Sequence, residues 1–215
     1  MALIAGVDSS TQSTKVEIRD QETGAVVASA AAPHPAVIAP CSEQDPASWW
    51  SAFELAWAQA GSPNVAAISV AGQQHAMVVL DADGVAVHPA KLWNDTESAG
   101  DADRLTGLVS PADWAAAIGS VPVAAFTVTK LAWLARTHAD VWPRVRHVML
   151  PHDYITNRLT GQLTAGSTTD RGDASGTGYW SPAEDKYRID FLDLVDDTRE
   201  WESMLPRVLG PMDHA

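Results

Sequence analysis

Apolar residues open the chain in three short runs, over residues 3–7, 14–19 and 25–31, and the polar stretch Asp20-Gln21-Glu22-Thr23-Gly24 separates the last two. Runs of this length, broken by turn residues, predict a meander of three strands. Asp45-Pro46 then supplies an N-cap followed by proline at the first helical position. Trp49, Phe53, Ala56 and Ala60 repeat at helical spacing after it, so a helix is expected to pack over the sheet. The continuous apolar run Val65-Ala66-Ala67-Ile68-Ser69-Val70 has the pattern of a central strand that delivers the polar loop Ala71-Gly72-Gln73-Gln74-His75 to its carboxyl end. Residues 77–80 and 85–87 flank Asp81-Ala82-Asp83-Gly84 and predict a hairpin. Further helix starts are read at Ser110-Pro111, at Thr129, and at Ser181-Pro182-Ala183-Glu184. Residues 148–150 read as a strand feeding a helix that stops at Gly161. Residues 165–178 are almost all small or polar, which suits either a cleft wall or an exposed loop. Strands first, then mixed strands and helices, indicate one α/β domain with a mixed sheet flanked by helices.

Composition narrows the function classes. The 215 residues carry a formal net charge of −13, which argues against nucleic acid as a partner, because phosphate backbones are bound mainly through Lys and Arg. A small phosphate ligand remains compatible with an acidic chain, since a magnesium ion and backbone dipoles supply positive potential independently of net charge. Cys41 is the single cysteine, so no intrachain disulfide can form; it is read as a small half-buried side chain. No apolar stretch reaches membrane-spanning length, no basic leader opens the chain, and a cytoplasmic protein without a membrane partner is expected. The sequence holds no glycine-rich nucleotide loop of the Walker or dinucleotide type, no CxxC and no HExxH, and its seven histidines are scattered.

Candidate chemistry starts at Asp8, which follows the first apolar run and precedes Ser9-Ser10-Thr11-Gln12-Ser13-Thr14-Lys15. A strand ending in a carboxylate and turning through small hydroxyl residues can present backbone N–H groups and hydroxyls to a phosphate, while the carboxylate holds a magnesium-bound water. Ser10, Thr11, Gln12, Ser13 and Lys15 are the candidate phosphate ligands; the competing reading is an ordinary hairpin turn rich in Ser and Thr. Gln74 and His75 can each donate and accept hydrogen bonds, as a polyhydroxylated ligand requires, although His75 tied to a backbone carbonyl is the plainer alternative. Trp93 could cover the apolar face of a sugar while Asp95 accepts from its hydroxyls; against this stands a core tryptophan ahead of a helix capped by Asn94 or Asp95.

Taken in order, Asp8 to Lys15, Glu43-Gln44-Asp45-Pro46 with Trp49-Trp50, Gly72-Gln73-Gln74-His75, Leu92-Trp93-Asn94-Asp95, Leu150-Pro151-His152-Asp153-Tyr154 and Asp170 to Thr177 resemble the N-terminal half of the FGGY carbohydrate kinase family across nearly the whole chain. In the first motif, Ser10 stands where the family has glycine and Gln12 where it has a second hydroxyl. The similarity is greatest to members that phosphorylate xylulose, in which a Met-His pair contacts the sugar where this chain has Gln74-His75. The Arg-Glu pair of glycerol-phosphorylating members is absent. The resemblance implies a ribonuclease-H-like fold of the actin and hexokinase type. It implies transfer of the γ-phosphoryl group of ATP to a D-xylulose hydroxyl with Mg2+, and an electrostatic or metal role for Asp8. It further implies that residues 1–215 form a single N-terminal sugar-kinase domain, that the general base and a C-terminal ATP-binding domain lie outside this chain, and that the chain alone is inactive. Alternatives held open are a catalytically inactive stand-alone sugar-binding module, a kinase of another ketose or polyol in the same family, and a homodimer.

Overall fold

The computed structural model describes residues 2–37 and 41–215. Strands β1 (Leu3–Ser9), β2 (Ser13–Asp20) and β3 (Val26–Pro33) form the expected meander. Alternation decides which face is covered: Val16 and Ile18 are buried while Lys15 and Arg19 point to solvent. The β2–β3 connection is closed by Asp20, whose carboxylate accepts from the backbone N–H groups of Glu22 and Thr23 and from the Thr23 hydroxyl. The first strand runs further than the apolar pattern indicates. Asp8 is not the residue after the strand but lies inside it, paired across the ladder with Lys15.

After the short strand β4 (Glu43–Gln44) comes helix α1 (Pro46–Gln59). The Asp45 carboxylate accepts from the Ala47 N–H at 2.9 Å, Pro46 sits at the first position, and Trp49, Ala52, Phe53 and Ala56 are buried. Ala52, Phe53 and Ala56 close one core cluster with Ala5, Val7, Val16, Ile18 and Ala32 from the sheet. Strand β5 (Ala67–Gly72) then joins the sheet parallel to β1, giving the order β3-β2-β1-β5. The apolar run there predicts a central strand, yet among the described residues β5 is an edge strand with residues 67–69 exposed. A run of apolar side chains reports burial on both faces, and it cannot tell whether a further strand pairs with its outer edge.

The chain leaves this sheet through residues 73–77 and builds a second layer. Strand β6 (Val78–Leu80) pairs mainly with a later strand, and its hairpin partner is reduced to the bridge between Leu80 and Ala86 around the Asp81–Gly84 turn. Strand β7 (Ala90–Lys91) pairs with β4. Helices α2 (Ala99–Leu108), α3 (Pro111–Ile118) and α4 (Thr127–Thr137) follow. Strand β8 (His147–Met149) is the antiparallel partner of β6 and runs into α5 (Pro151–Thr160), which Gly161 ends with φ of +73°. Residues 165–178 hold β9 (Thr168–Asp170) and α6 (Arg171–Ser175), and Thr168, Thr169, Asp173, Ala174 and Thr177 are buried. The expected helix at Ser181 is instead a hairpin, β10 (Trp180–Ser181) and β11 (Lys186–Tyr187). The Ser181 hydroxyl accepts from the Glu184 N–H in its turn, so the capping residue serves a turn and not a helix. Helices α7 (Ile189–Asp196) and α8 (Trp201–Met204) precede β12 (Arg207–Leu209), parallel to β9. A second core cluster, containing Leu105, Trp114, Leu131, Phe191 and Trp201, fills this layer. Cys41 is exposed, not half-buried. Among the described residues no helix is long and apolar enough to cross a membrane.

The two layers meet where Gly72 ends β5. A Cβ built on Gly72 lies 2.7 Å from the backbone N and Cα of His152 at the start of α5, so α5 packs directly on the strand terminus. Gly72→Ala should lower stability by about 1–3 kcal/mol, because the obstacle is backbone that cannot swing aside. Urea melts of the two proteins at one pH measure it, and an unchanged midpoint would contradict the close approach.

Candidate functional site

Because β1 and β5 are parallel and in register, with Ser9 opposite Gly72, the turns that leave their carboxyl ends face each other. Between them lies a pocket of about 460 Å³ lined by Asp8, Ser10, Thr11, Gln74, His75 and Trp93 together with Ser9, Gly72 and Gln73. Six residues singled out in the sequence thus share one cleft. Four others do not line it: Gln12 is in the turn itself, Ser13 and Lys15 are in β2, and Asp95 is buried.

The turn over residues 10–12 is braced from several sides. The Ser10 N–H and hydroxyl both donate to the Ser13 carbonyl, at 3.0 and 3.1 Å. The Thr11 hydroxyl donates to Gln73 Oε1 at 3.1 Å and accepts from the Trp93 indole N–H at 3.2 Å. Gln73 Nε2 donates to the Ser10 carbonyl, and Gln44 Nε2 donates to the carbonyls of Thr11 and Pro35. Gln44 Oε1 in turn accepts from the buried Trp49 indole N–H at 2.7 Å. Two amide side chains, Gln44 on β4 and Gln73 just after β5, therefore fix the turn through its carbonyls. Asp8 forms an ion pair with Lys15 at 3.1 Å in which both side chains are more than half exposed, so the Asp8 carboxylate stays available to a ligand or a hydrated cation.

His75 is held on three sides. Its φ of +61° is the left-handed region uncommon for residues with a Cβ, its Nδ1 lies 2.6 Å from the Gly176 carbonyl, and its ring sits 5.0 Å from that of Phe126. The backbone carbonyl anticipated as the plainer explanation for this histidine is present, and it coexists with a place on the pocket wall. Trp93 is half exposed, which removes the reading of a core tryptophan, and the next helix starts only at Ala99 behind Ser98. Asp95 caps no helix. Its carboxylate accepts from the Ser42 and Glu97 N–H groups and from Lys91 Nζ at 3.0 Å.

Several contributors carry no motif in the sequence. Lys91 is fully buried, meets Glu43 and Asp95 at 3.0 Å and Glu97 more closely, and stacks over the Trp133 ring at 3.9 Å. Desolvation opposes its charge, but the hydrogen bonds it donates to Glu97, Asp95 and Glu43 outweigh it and raise its pKa. Lys130 Nζ donates to the carbonyls of Ala124 and Ala125, which tethers the loop carrying Phe126, and burial brings it down to about 7. Their only advance signal was lysine inside an apolar run, Ala90-Lys91-Leu92 and Thr129-Lys130-Leu131.

A second cluster adjoins the pocket through Gly72 and Gln74. His152 Nδ1 lies 2.9 Å from Asp153 and 3.0 Å from Asp173, with Asp170 at 3.7 Å from Nε2, beside a cavity of about 270 Å³. Burial would lower the His152 pKa, but the hydrogen bond to Asp153 and the charges of Asp153, Asp173 and Asp170 prevail and push it up to about 9. The Asp173 carboxyl is pushed up to about 7, first by burial and then by Asp153, against the pull of His152. Protonated His152 thus bridges α5 to α6.

The FGGY family of carbohydrate kinases, N-terminal domain, matches residues 3–213. A xylulose kinase of Streptomyces rubiginosus is 48% identical over 212 residues, covering 97% of this chain and 43% of that protein. A xylulose kinase of Escherichia coli strain K12 is 31% identical over 205 residues, covering 91% and 40%. Among solved structures, a xylulose kinase from Bifidobacterium adolescentis superposes with a TM-score of 0.91 at 39% identity over 99% of this chain and 48% of that one. Plasmodium falciparum glycerol kinase with ADP, at 20% identity and a TM-score of 0.85 over 97% of this chain and 43% of that one, shares the fold. That fold is the actin and hexokinase type of ATPase domain, here with its mixed sheet. The chain spans less than half the length of these relatives.

The His152 cluster predicts a pH effect. A histidine raised from 6.5 to about 9 stabilises the fold fully below about pH 6.5 and loses that contribution as pH rises through about 9. Buried Lys130 works in the opposite direction over the same range, since its folded value lies below its unfolded one. The informative quantity is therefore the stability difference between the wild type and His152→Gln, which should shrink between pH 7 and pH 10 in urea melts. A difference constant over that range would refute the assignment of charge to His152.

Proposed function

The chain belongs to the FGGY family of carbohydrate kinases, and from that premise we propose that the protein carrying it transfers the γ-phosphoryl group of ATP to a hydroxyl of D-xylulose. One observation carries the reading: Asp8, near the end of β1, and His75, in the loop after β5, face a single pocket of about 460 Å³. That volume suits a small ligand held by a few convergent polar groups.

Gln74 and His75 are proposed to pair with sugar hydroxyls, and the half-exposed Trp93 indole to cover an apolar sugar face. Ser10, Thr11 and Gln12 on the braced turn, with Ser13 and Lys15 on β2, are proposed to present donors and positive charge to the phosphoryl group. A rigid turn favours this role because donors fixed in advance need no reorganisation as charge develops. Asp95 acts one step removed, anchoring the loop that carries Trp93 through Lys91.

Asp8 has the chemistry to hold Mg2+ through water, being an exposed carboxylate whose ion-pair partner among the described residues is Lys15. When bound, the ion supplies charge neutralisation to the phosphoryl oxygens. Asp8 must stay ionised for this, which separates it from the group that removes the hydroxyl proton. Among the described residues that line the pocket, Asp8 is the one carboxylate. We therefore assign the general base and the ATP site to a further domain of the full-length protein, and expect the chain by itself to give no turnover.

An ADP-coupled assay of the full-length protein with D-xylulose, L-ribulose, gluconate and glycerol tests the proposal, with D-xylulose expected to be the preferred substrate. Asp8→Ala should cut kcat by about 10²-fold or more with little change in sugar affinity, whereas His75→Ala should act mainly by raising KM for the sugar. Turnover of no ketose would end the reading, and the opposite pattern in the two variants would exchange the assigned roles.

A further inference from the structure

His75 is hydrogen-bonded to a residue about a hundred positions away along the chain. A carbonyl oxygen only accepts, so the 2.6 Å contact between His75 Nδ1 and the Gly176 carbonyl requires a proton on Nδ1. In a neutral imidazole the other nitrogen, Nε2, then carries the lone pair. Among the described residues Nε2 has no hydrogen-bond partner, and His75 lines the pocket.

Gly176 is built into this arrangement. A Cβ placed on it would lie 2.8 Å from both Cε1 and Nδ1 of the His75 ring, so any larger residue occupies the space of the imidazole. Yet its own backbone, with φ of −86° and ψ of −2° at the end of α6, is one that every residue adopts. Nothing in the local conformation demands glycine; the His75 ring does. The position of the carbonyl is set in turn by α6. The Gly176 N–H donates to the Asp173 carbonyl at 3.0 Å, the Asp170 carboxylate caps the helix through the Asp173 N–H, and the Asp173 carboxylate meets His152 at 3.0 Å. The next residue, Thr177, accepts from the Val128 N–H at 2.9 Å, which ties the segment to the start of α4 beside Phe126.

We propose that Gly176 is a positioning and specificity-determining residue: its carbonyl locks His75 as the Nδ1–H tautomer, so that Nε2 faces the ligand as an acceptor and selects a hydroxyl that donates. The first half of this stands on the geometry of the chain alone. The last step, selection of a sugar hydroxyl, rests on the reading of the pocket given above.

The test starts with the wild-type chain labelled with 15N-histidine, in which long-range 1H–15N spectra identify which ring nitrogen of each histidine is protonated. His75 should show a pyrrole-type Nδ1 and a pyridine-type Nε2; the reverse assignment overturns the proposal without need of any variant. Gly176→Ala should shift His75 toward the Nε2–H form while leaving the His34 and His152 signals as they were, because alanine fits the backbone at 176 and the clash falls on the imidazole. An unchanged His75 tautomer in that variant also overturns it. In the full-length protein, Gly176→Ala should raise KM for D-xylulose by about tenfold with kcat changed by less than about threefold, and a KM equal to wild type would sever the link to ligand selection. Absence of wild-type activity on every ketose would count against the sugar reading, while the tautomer spectra would still decide the role of Gly176.

Discussion

The parallel pairing of β1 with β5 is the constraint on which the rest of the molecule depends. Asp8 sits opposite Ala71 and Ser9 opposite Gly72 in that ladder, so both strands finish at the same level. Side chains in a strand alternate between faces, and a slip of one residue would exchange the inward and outward sets of β5 relative to β1. Register therefore decides whether the turn after β1 and the loop after β5 look at each other. Packing reinforces it from outside, since the absence of a Cβ on Gly72 lets the start of α5 rest on the strand end.

Given that register, the cleft is kept open by amides more than by charges. Gln44 and Gln73 each use both ends of the side chain: Gln44 holds a tryptophan with its oxygen and two carbonyls with its nitrogen, and Gln73 holds the Thr11 hydroxyl and the Ser10 carbonyl. A neutral group that both donates and accepts satisfies a buried turn without the desolvation cost of an ion. The ionisable groups that are buried, Lys91, Lys130 and the His152 cluster, stand one layer back and hold the loops bearing Trp93, Phe126 and Gly176. Breaking the Lys91 or His152 pairs would leave an uncompensated charge in the interior, which makes the loops they hold stiff supports.

Much of the fold was legible from the residues. The meander, the Asp45-Pro46 helix start, the Gly161 stop and the Ser110-Pro111 start all follow from local chemistry, in which a cap, a proline or a glycine acts on backbone within a few positions. The helix expected at Ser181 shows the limit of the same reasoning, because a serine followed by proline serves a turn equally well, and the pairing of Trp180 with Tyr187 decides between them. The edge position of β5 and the exposure of Cys41 likewise depend on what lies alongside, which no local pattern encodes.

The candidate site divides along the same line. By itself the sequence determined which residue types stand near the strand ends, namely Asp8 with its hydroxyl turn, Gln74-His75 and Trp93, and their order along the chain resembled one family. Only the tertiary structure decided that Asp95 faces inward to Lys91 while Trp93 faces the pocket, although they stand two residues apart, and that the carbonyl of Gly176 meets the ring of His75. Identity and spacing are properties of the covalent chain, whereas the direction a side chain takes is set by the hydrogen-bond and steric partners that folding brings beside it, and those partners come from anywhere in the sequence.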